Sequence, residues 1–237
     1  MGEVVVGRVA EIWRYPVKSL GGERLDRVGI GSRGVDLDRL WALRGRDGKL
    51  GSGKNTKRFR RMSGLLGTSS RISSDGVILV RLADGSEMEL GDPASAAAFS
   101  SLVGEEVEFA AEGGVSHLDD SPVHLVTTSS LAWLSELMPG AAIQARRFRP
   151  NLVIEVPASG RQEESWVGRG LRIGEVELRV HKPTERCVMT TMEQPGLRFE
   201  PSILRTLERE NSARLGVYAT VETPGTCAEG DEVVILG

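Results

Sequence analysis

Two short polar stretches hold the residues best suited to chemistry: RRFRPNLVIEV at 146–156 and KPTERCVMTT at 182–191. The first crowds Arg146, Arg147, Arg149 and Asn151 ahead of an apolar run. The second sets Cys187 beside Arg186 and just before the hydroxyls of Thr190 and Thr191. Positive charge lowers a thiol's pKa, and a thiolate is both a nucleophile and a ligand for soft metals. The same cysteine on a strand could equally pack as a small hydrophobe.

The segment Gly48–Asn55 approaches a P-loop but ends in Asn55, where that loop needs a Ser or Thr hydroxyl for Mg²⁺. Lys54, Lys57, Arg58, Arg60 and Arg61 follow within a few residues. They read as a solvated loop or as an anion-binding flap, since glycine-rich backbone and clustered cations both favour phosphate. His117, His124 and His181 form no His-Glu-x-x-His and there is no Cys-x-x-Cys, so a zinc site has little support. His124 lies inside an apolar run and reads as a core residue or one that supports a site. Without a Gly-x-Ser-x-Gly elbow, a hydrolase triad has no anchor.

The elements that would carry these residues are mostly strands. Alternating or short continuous apolar runs occur at 4–13, 24–30, 39–44, 77–82, 87–90, 106–110, 123–127, 152–156, 175–181, 216–222 and 232–237. Three helices are expected: 93–103, opened by Asp92 and Pro93; 129–138, ended by Pro139-Gly140; and 201–211. Close-spaced strands with few helices give a mostly β protein with a minor α+β component, built as a barrel or sandwich. Twenty-nine glycines in 237 residues exceed the usual share of about 7 % and imply many tight turns. A loop-like stretch at 111–122 marks a joint, dividing the chain into 1–112 and 113–237, two parts whose elements can interleave.

A net charge of −3 argues against a general nucleic-acid binder. No apolar run approaches the length of a membrane span, and two cysteines allow one bridge at most, which together suggest a reducing, cytoplasmic setting. Cys227, in a glycine-rich turn with acidic neighbours, reads as inert.

In chain order, YPVKSLGGERLDRVGI (15–30), GVDLDRLWAL (34–43), DDSPVHLVTTSSL (119–131), RFRPNLVIE (147–155), ERCVMTT (185–191) and LGVYATVETPGTCAEGDEVVIL (215–236) resemble the MOSC family. These are molybdenum cofactor sulfurase C-terminal domain proteins preceded by an N-terminal β-barrel domain, a group that includes the amidoxime-reducing proteins. The resemblance implies a MOSC β-barrel with a smaller barrel-like domain before it, and a molybdenum–pyranopterin cofactor with Cys187 as metal ligand and catalytic centre. Carried onto this chain, it implies that Lys18, Ser19 and Arg39 meet pterin and phosphate, that Thr127 and Thr128 contact the cofactor at a helix start, and that Arg149 forks onto phosphate. Asn151 would bond the pterin, Arg186 would keep the sulfur ionised, Tyr218 would stand near the metal, and Lys54 with its basic loop would close over the phosphate. Where the family often has Asp after the two threonines, this chain has Glu193. The activity implied is reduction of a small N-hydroxylated or N-oxide molecule. Two cysteines cannot hold an iron–sulfur cluster, so electrons would come from a separate flavin, ferredoxin or cytochrome-type protein. The alternative is a non-redox cofactor or sulfur carrier using a Cys187 persulfide.

Overall fold

The alternation along the C-terminal strands sets the architecture. In Val176–Glu185, the side chains of Val176, Leu178 and Val180 are wholly buried while Arg179 points to solvent. Each such apolar side chain contributes about 1.5–3 kcal/mol on leaving water. The computed structural model describes residues 2–237, and among them seven strands close into a barrel. Numbered in chain order they are β1 (Val4–Arg14), β2 (Val123–Thr127), β3 (Leu152–Glu155), β4 (Gly170–Ile173), β5 (Val176–Glu185), β6 (Arg214–Thr223) and β7 (Glu232–Leu236). Their order around the barrel is β3-β2-β6-β5-β4-β7-β1, and β1 pairs back onto β3 through Val9–Ile154 and Ile12–Leu152. Ile12, Leu125, Leu152, Ile154, Leu171 and Val217 fill the interior.

All these neighbours are antiparallel except β2 and β3, which run parallel with Leu125 opposite Leu152. A parallel pair needs a crossover, and residues between them supply it as two helices, Thr128–Leu137 and Ala145–Phe148. The second helix ends at Arg149, whose φ of 54° turns the chain into β3. Register then sets Lys182 beside Tyr218, and Tyr218 beside His124. Asn151 donates its N–H to the His124 carbonyl at 2.8 Å, completing that row.

The N-terminal part builds a second core from a four-stranded and a three-stranded sheet. Helix Pro93–Val103 covers them with Phe99, its start capped by Asp92 accepting from Ala94 N at 2.8 Å. The expected run 24–30 is broken at Asp26: Glu23–Leu25 extends the barrel sheet beside β1, while Arg27–Gly31 pairs with Gly34–Val35 and Gly225–Ala228. Val28, Ile30 and Val35 therefore pack with the barrel core, and a division at 112/113 does not separate the two cores. Among the described residues, no helix is long and apolar enough to cross a membrane.

At the start of Thr128–Leu137 the chain places its own anion. Glu163 is fully buried, and its carboxylate accepts from Thr127 Oγ1 at 2.6 Å, Ser130 Oγ at 2.7 Å and Thr127 N at 3.4 Å. Burial raises its pKa despite these donors. Glu163→Leu would strand two hydroxyls and a helix-start N–H at roughly 1–3 kcal/mol for each group left unpaired. Urea denaturation should show a loss of about 3 kcal/mol; a variant as stable as the parent would mean that water satisfies these groups.

Candidate functional site

Tyr15, the first residue after β1, is buried and anchors the site. Its N–H donates to Asp38 Oδ1 at 2.8 Å, and Asp38 also pairs with Arg39. The Arg39 and Arg149 guanidinium carbons lie 4.8 and 4.2 Å from the Tyr15 ring centroid. Such cation–π contacts strengthen when desolvated. Both arginines take left-handed backbone, with φ of 52° and 54°. Arg39 donates to the Arg149 carbonyl at 3.1 Å, and Arg149 Nη1 to the Leu20 carbonyl at 2.6 Å. Arg149 Nη2 is buried without a partner. Burial, then repulsion from Arg39, pulls the Arg149 pKa down to about 10.

Lys18 stands next to this pair, 3 % exposed, donating to the His117 carbonyl at 2.7 Å and to Asp119 at 3.0 Å. Burial pulls its pKa down to about 8 in spite of Asp119. Burial would raise the Asp119 carboxyl, but Lys18, Lys54 and Arg39 outweigh that and hold it well below the usual range. Ser19 spends its hydroxyl on the Gly51 carbonyl at 2.9 Å.

Cys187 follows the end of β5, half-buried and free. Arg186 donates to the Phe148 carbonyl at 2.6 Å, while its Nε is buried without a partner. Burial, then Arg186, pushes His124 well below the ordinary histidine pKa, so the ring is neutral. With Arg186 Nη1 at 3.4 Å from Nε2 and the Arg149 carbonyl at 3.3 Å from Nδ1, the proton belongs on Nδ1. Tyr218 packs on His124 with ring centroids 5.4 Å apart, and burial raises its pKa so that it keeps its proton. The Thr190 and Thr191 hydroxyls close the turn after Cys187 by donating to the carbonyls of Cys187 and Val188, at 3.0 and 2.7 Å.

These residues line a cavity of about 100 Å³ that merges with an outer one of about 290 Å³; Cys187, Arg186, Tyr218, Asp119, Lys54 and Glu185 border both. Of the residues singled out from the sequence, Lys18, Ser19, Arg39, Lys54, Arg149, Asn151, Arg186, Cys187 and Tyr218 converge here. Asn151 has its carboxamide committed to the barrel, accepting from His124 N at 3.2 Å and donating to the Trp13 carbonyl at 3.4 Å.

Thr127 and Thr128 do not reach the cleft. Thr127 is buried against Glu163, and Thr128 Oγ1 accepts from Val156 N at 3.4 Å, because the helix start they form is already matched by that internal carboxylate. Nor does the basic segment close over the site as a unit. Phe59–Arg61 forms a strand beside Leu50–Ser52, Arg60 pairs with Glu105 at 2.9 Å and Asp47 at 3.5 Å, and Arg58 donates to the Leu118 carbonyl at 3.1 Å. Lys54 alone among its cations lines the cleft. Cys227 is wholly buried in the barrel core, and burial, then Asp231, pushes its thiol up to about 12. Asp119, Glu185 and Met189 are lining residues that sequence reasoning missed; Asp119 had only its place in a polar loop to mark it.

The arrangement suits an anion that accepts from Arg149 and Arg186, with a thiol beside it. Lys18 contributes charge only while protonated, hence below about pH 8. Binding of sulfate, whose own charge is constant in this range, should weaken roughly tenfold as pH rises from 7 to 9, where Lys18 loses its proton and Arg149, with a pKa of about 10, still keeps most of its own. Calorimetric titration should show Lys18→Met binding weakly throughout, without that decline. An unchanged slope in the variant would place the titrating group elsewhere.

A family model described as the MOSC domain matches residues 111–234, and one described as the MOSC N-terminal beta barrel domain matches residues 6–111. The chain is 27 % identical to mitochondrial amidoxime-reducing component 1 of Homo sapiens, over 98 % of this chain and 84 % of that one. It is 28 % identical to mitochondrial amidoxime reducing component 2 of Bos taurus, over 96 % of this chain and 83 % of that one. Molybdenum cofactor sulfurase 2 of Culex quinquefasciatus is 32 % identical over 40 % of this chain and 13 % of its own length. Among solved structures, the YUAD protein from Bacillus subtilis shares the fold, with a TM-score of 0.55 at 11 % identity over 99 % of this chain and 97 % of that one. The first of these family models spans more than half of the chain, and its companion begins near the start of β1 and runs up to it; the chain belongs to the MOSC domain family.

Proposed function

We propose that this protein is a molybdenum-cofactor oxidoreductase that reduces small N-hydroxylated or N-oxide compounds of the amidoxime type, with Cys187 as the metal's protein ligand. The observation that carries this reading is the position of Cys187: a free, half-buried thiol where a cationic cavity opens into an outer one. The names of the relatives support the same chemistry. The residues fit the cofactor, since two buried guanidinium nitrogens without partners call for anionic oxygens and a thiolate suits a soft metal.

When bound, the molybdenum–pyranopterin supplies a two-electron centre for removing oxygen from nitrogen. Lys18, Arg39 and Arg149 would hold its anionic end, and Asn151 and Ser19 would shape the wall beside it. Reduction of an N-hydroxyl group consumes two electrons and two protons, releases water and leaves the N–H compound. Tyr218 lines the cleft and keeps its proton, so its hydroxyl is available as a donor there, and Lys18, with a pKa of about 8, can hold or give a proton near neutral pH. Electrons come from a separate flavin, ferredoxin or cytochrome-type protein, and two free cysteines suit a reducing, cytoplasmic setting. The sulfurase relative supports the second reading, a sulfur carrier with a persulfide on Cys187.

Cys187→Ser and Cys227→Ala separate these possibilities. Cys187→Ser should lose amidoxime reduction with an artificial electron donor, together with most of its molybdenum. Cys227→Ala should keep both while losing roughly 1–2 kcal/mol of stability to a small core cavity. Thiol-labile sulfur on the parent protein, without stoichiometric molybdenum, would favour the carrier. A Cys187→Ser protein that keeps metal and turnover removes both readings.

A further inference from the structure

A larger cavity, of about 440 Å³, lies on the other side of the turn that follows Cys187. Met62–Gly67 of the N-terminal unit forms one wall and Met189–Gly196 the other, and Ser19 and Met189 belong to both this cavity and the cationic cleft. The two compartments are sorted by charge. Lys18, Arg39, Lys54, Arg147, Arg149 and Arg186 line the cleft; among the described residues, the only charged one lining the larger cavity is Glu193, which is exposed to solvent. Its walls are Met62, Leu65, Leu66, Met189, Met192 and Pro195, with backbone at the glycines between them.

One polar group is held inside. Gln194 is 8 % exposed, its backbone locked to Leu197 by hydrogen bonds of 3.0 and 2.8 Å, and its side-chain nitrogen is buried without a partner. A buried amide fixed in this way is costly unless something accepts from it. The dividing wall is also fixed. Gly53 donates its N–H to the Met189 sulfur at 3.0 Å, and a Cβ at Gly53 would overlap the sulfurs of both Met189 and Met192. Methionine walls adapt to differently shaped apolar groups.

We infer that this cavity is a second binding site, for the apolar body of an uncharged ligand that offers Gln194 a hydrogen-bond acceptor. An anion entering it would lose its water and find no cation among the described lining residues, with Glu193 alongside. The adjoining cleft has the opposite preference. On the proposed reductase reading, the ligand is the N-hydroxylated substrate, its ring or chain held against Met62, Met189 and Met192, next to the cleft that shares Ser19 and Met189 with this cavity. Substrates should then vary widely in the shape of the body and little in charge.

The test uses the full-length, cofactor-loaded protein in its oxidised form with no electron donor, so that binding is read apart from turnover. With methionine methyls labelled by ¹³C, benzamidoxime should shift the Met62, Met189 and Met192 signals saturably and leave Met138, buried in a separate core, unmoved. Benzoate, the anion with the same ring, should shift none of them. Gly67 lines the cavity with open space at its Cβ position, so Gly67→Phe should fill the site and raise the benzamidoxime Kd at least about tenfold at unchanged molybdenum content. Gln194→Leu, which keeps the bulk and removes the amide, should weaken binding several-fold. Absent methionine shifts, equal shifts with benzoate, or a Gly67→Phe protein that binds like the parent would each overturn the inference. Shifts without turnover would leave the site standing and remove the reductase reading; turnover without shifts would remove the site alone.

Discussion

The pairing of β1 with β3 is the constraint from which the site follows. It closes the barrel, and it also ties two segments distant in sequence at adjoining points. Ile12 lies opposite Leu152, and Trp13 donates to the Asn151 carbonyl at 2.8 Å. The residues just after β1 are Tyr15 and Lys18; those just before β3 are Arg149 and Asn151. Once the hydrophobic faces fix this register, the cations of the two stretches must meet. A slip of one residue would turn every β3 side chain to the other face and draw Arg149 away from the Tyr15 ring. Core packing therefore sets the geometry of the polar site.

Gathering these cations is unfavourable by itself, and the surroundings show how it is offset. Asp38 and Asp119 supply negative charge, the Tyr15 ring supplies its π face, and the carbonyls of Leu20, Phe148, Arg149 and His117 take up most of the donors. His124 adds no charge because burial keeps it neutral. What is left are the unmatched nitrogens of Arg149 and Arg186, each costing roughly 1–3 kcal/mol when buried unpaired. An incoming anion recovers that energy, so the site's instability without ligand is a source of its affinity. The left-handed backbone at Arg39 and Arg149 belongs to the same arrangement, since such strain persists only where surrounding structure over-determines it.

Much of this was legible in the sequence wherever local chemistry decided the outcome. The Asp92-Pro93 start marks the helix over 93–103 residue for residue, and the basic and thiol stretches contain Arg149, Asn151, Arg186 and Cys187 of the cleft, whereas Lys18, Ser19, Arg39 and Tyr218 stand out only through the family resemblance. Local pattern misleads where a distant residue intervenes. Thr127 and Thr128 do open a helix, but the anion that helix start favours is Glu163, and nothing local to the threonines announces it. Clustered cations after Lys54 suggested a flap, yet carboxylates at Asp47 and Glu105 and carbonyls near Ser116 had a prior hold on them. Short strands such as Leu50–Ser52 and Gly34–Val35 lack a readable period because two or three residues cannot show one.

The contrast between the two cysteines shows how position within a strand decides chemical role. Both lie on or next to strands, and neither sequence neighbourhood is strongly apolar. Cys227 falls at an inward position of Gly225–Ala228 and is absorbed by the core, where its thiol is held protonated. Cys187 comes just past the last paired residue of β5, Glu185, after three register shifts and a proline that cannot donate to the ladder. Such irregularities bend a strand and re-aim its side chains. The chain then turns tightly, and Thr190 and Thr191 satisfy that turn's carbonyls with their own hydroxyls instead of presenting them to the sulfur. The thiol is left at a strand end where two compartments lined by charged residues meet, and this placement singles it out more than any property of its immediate neighbours.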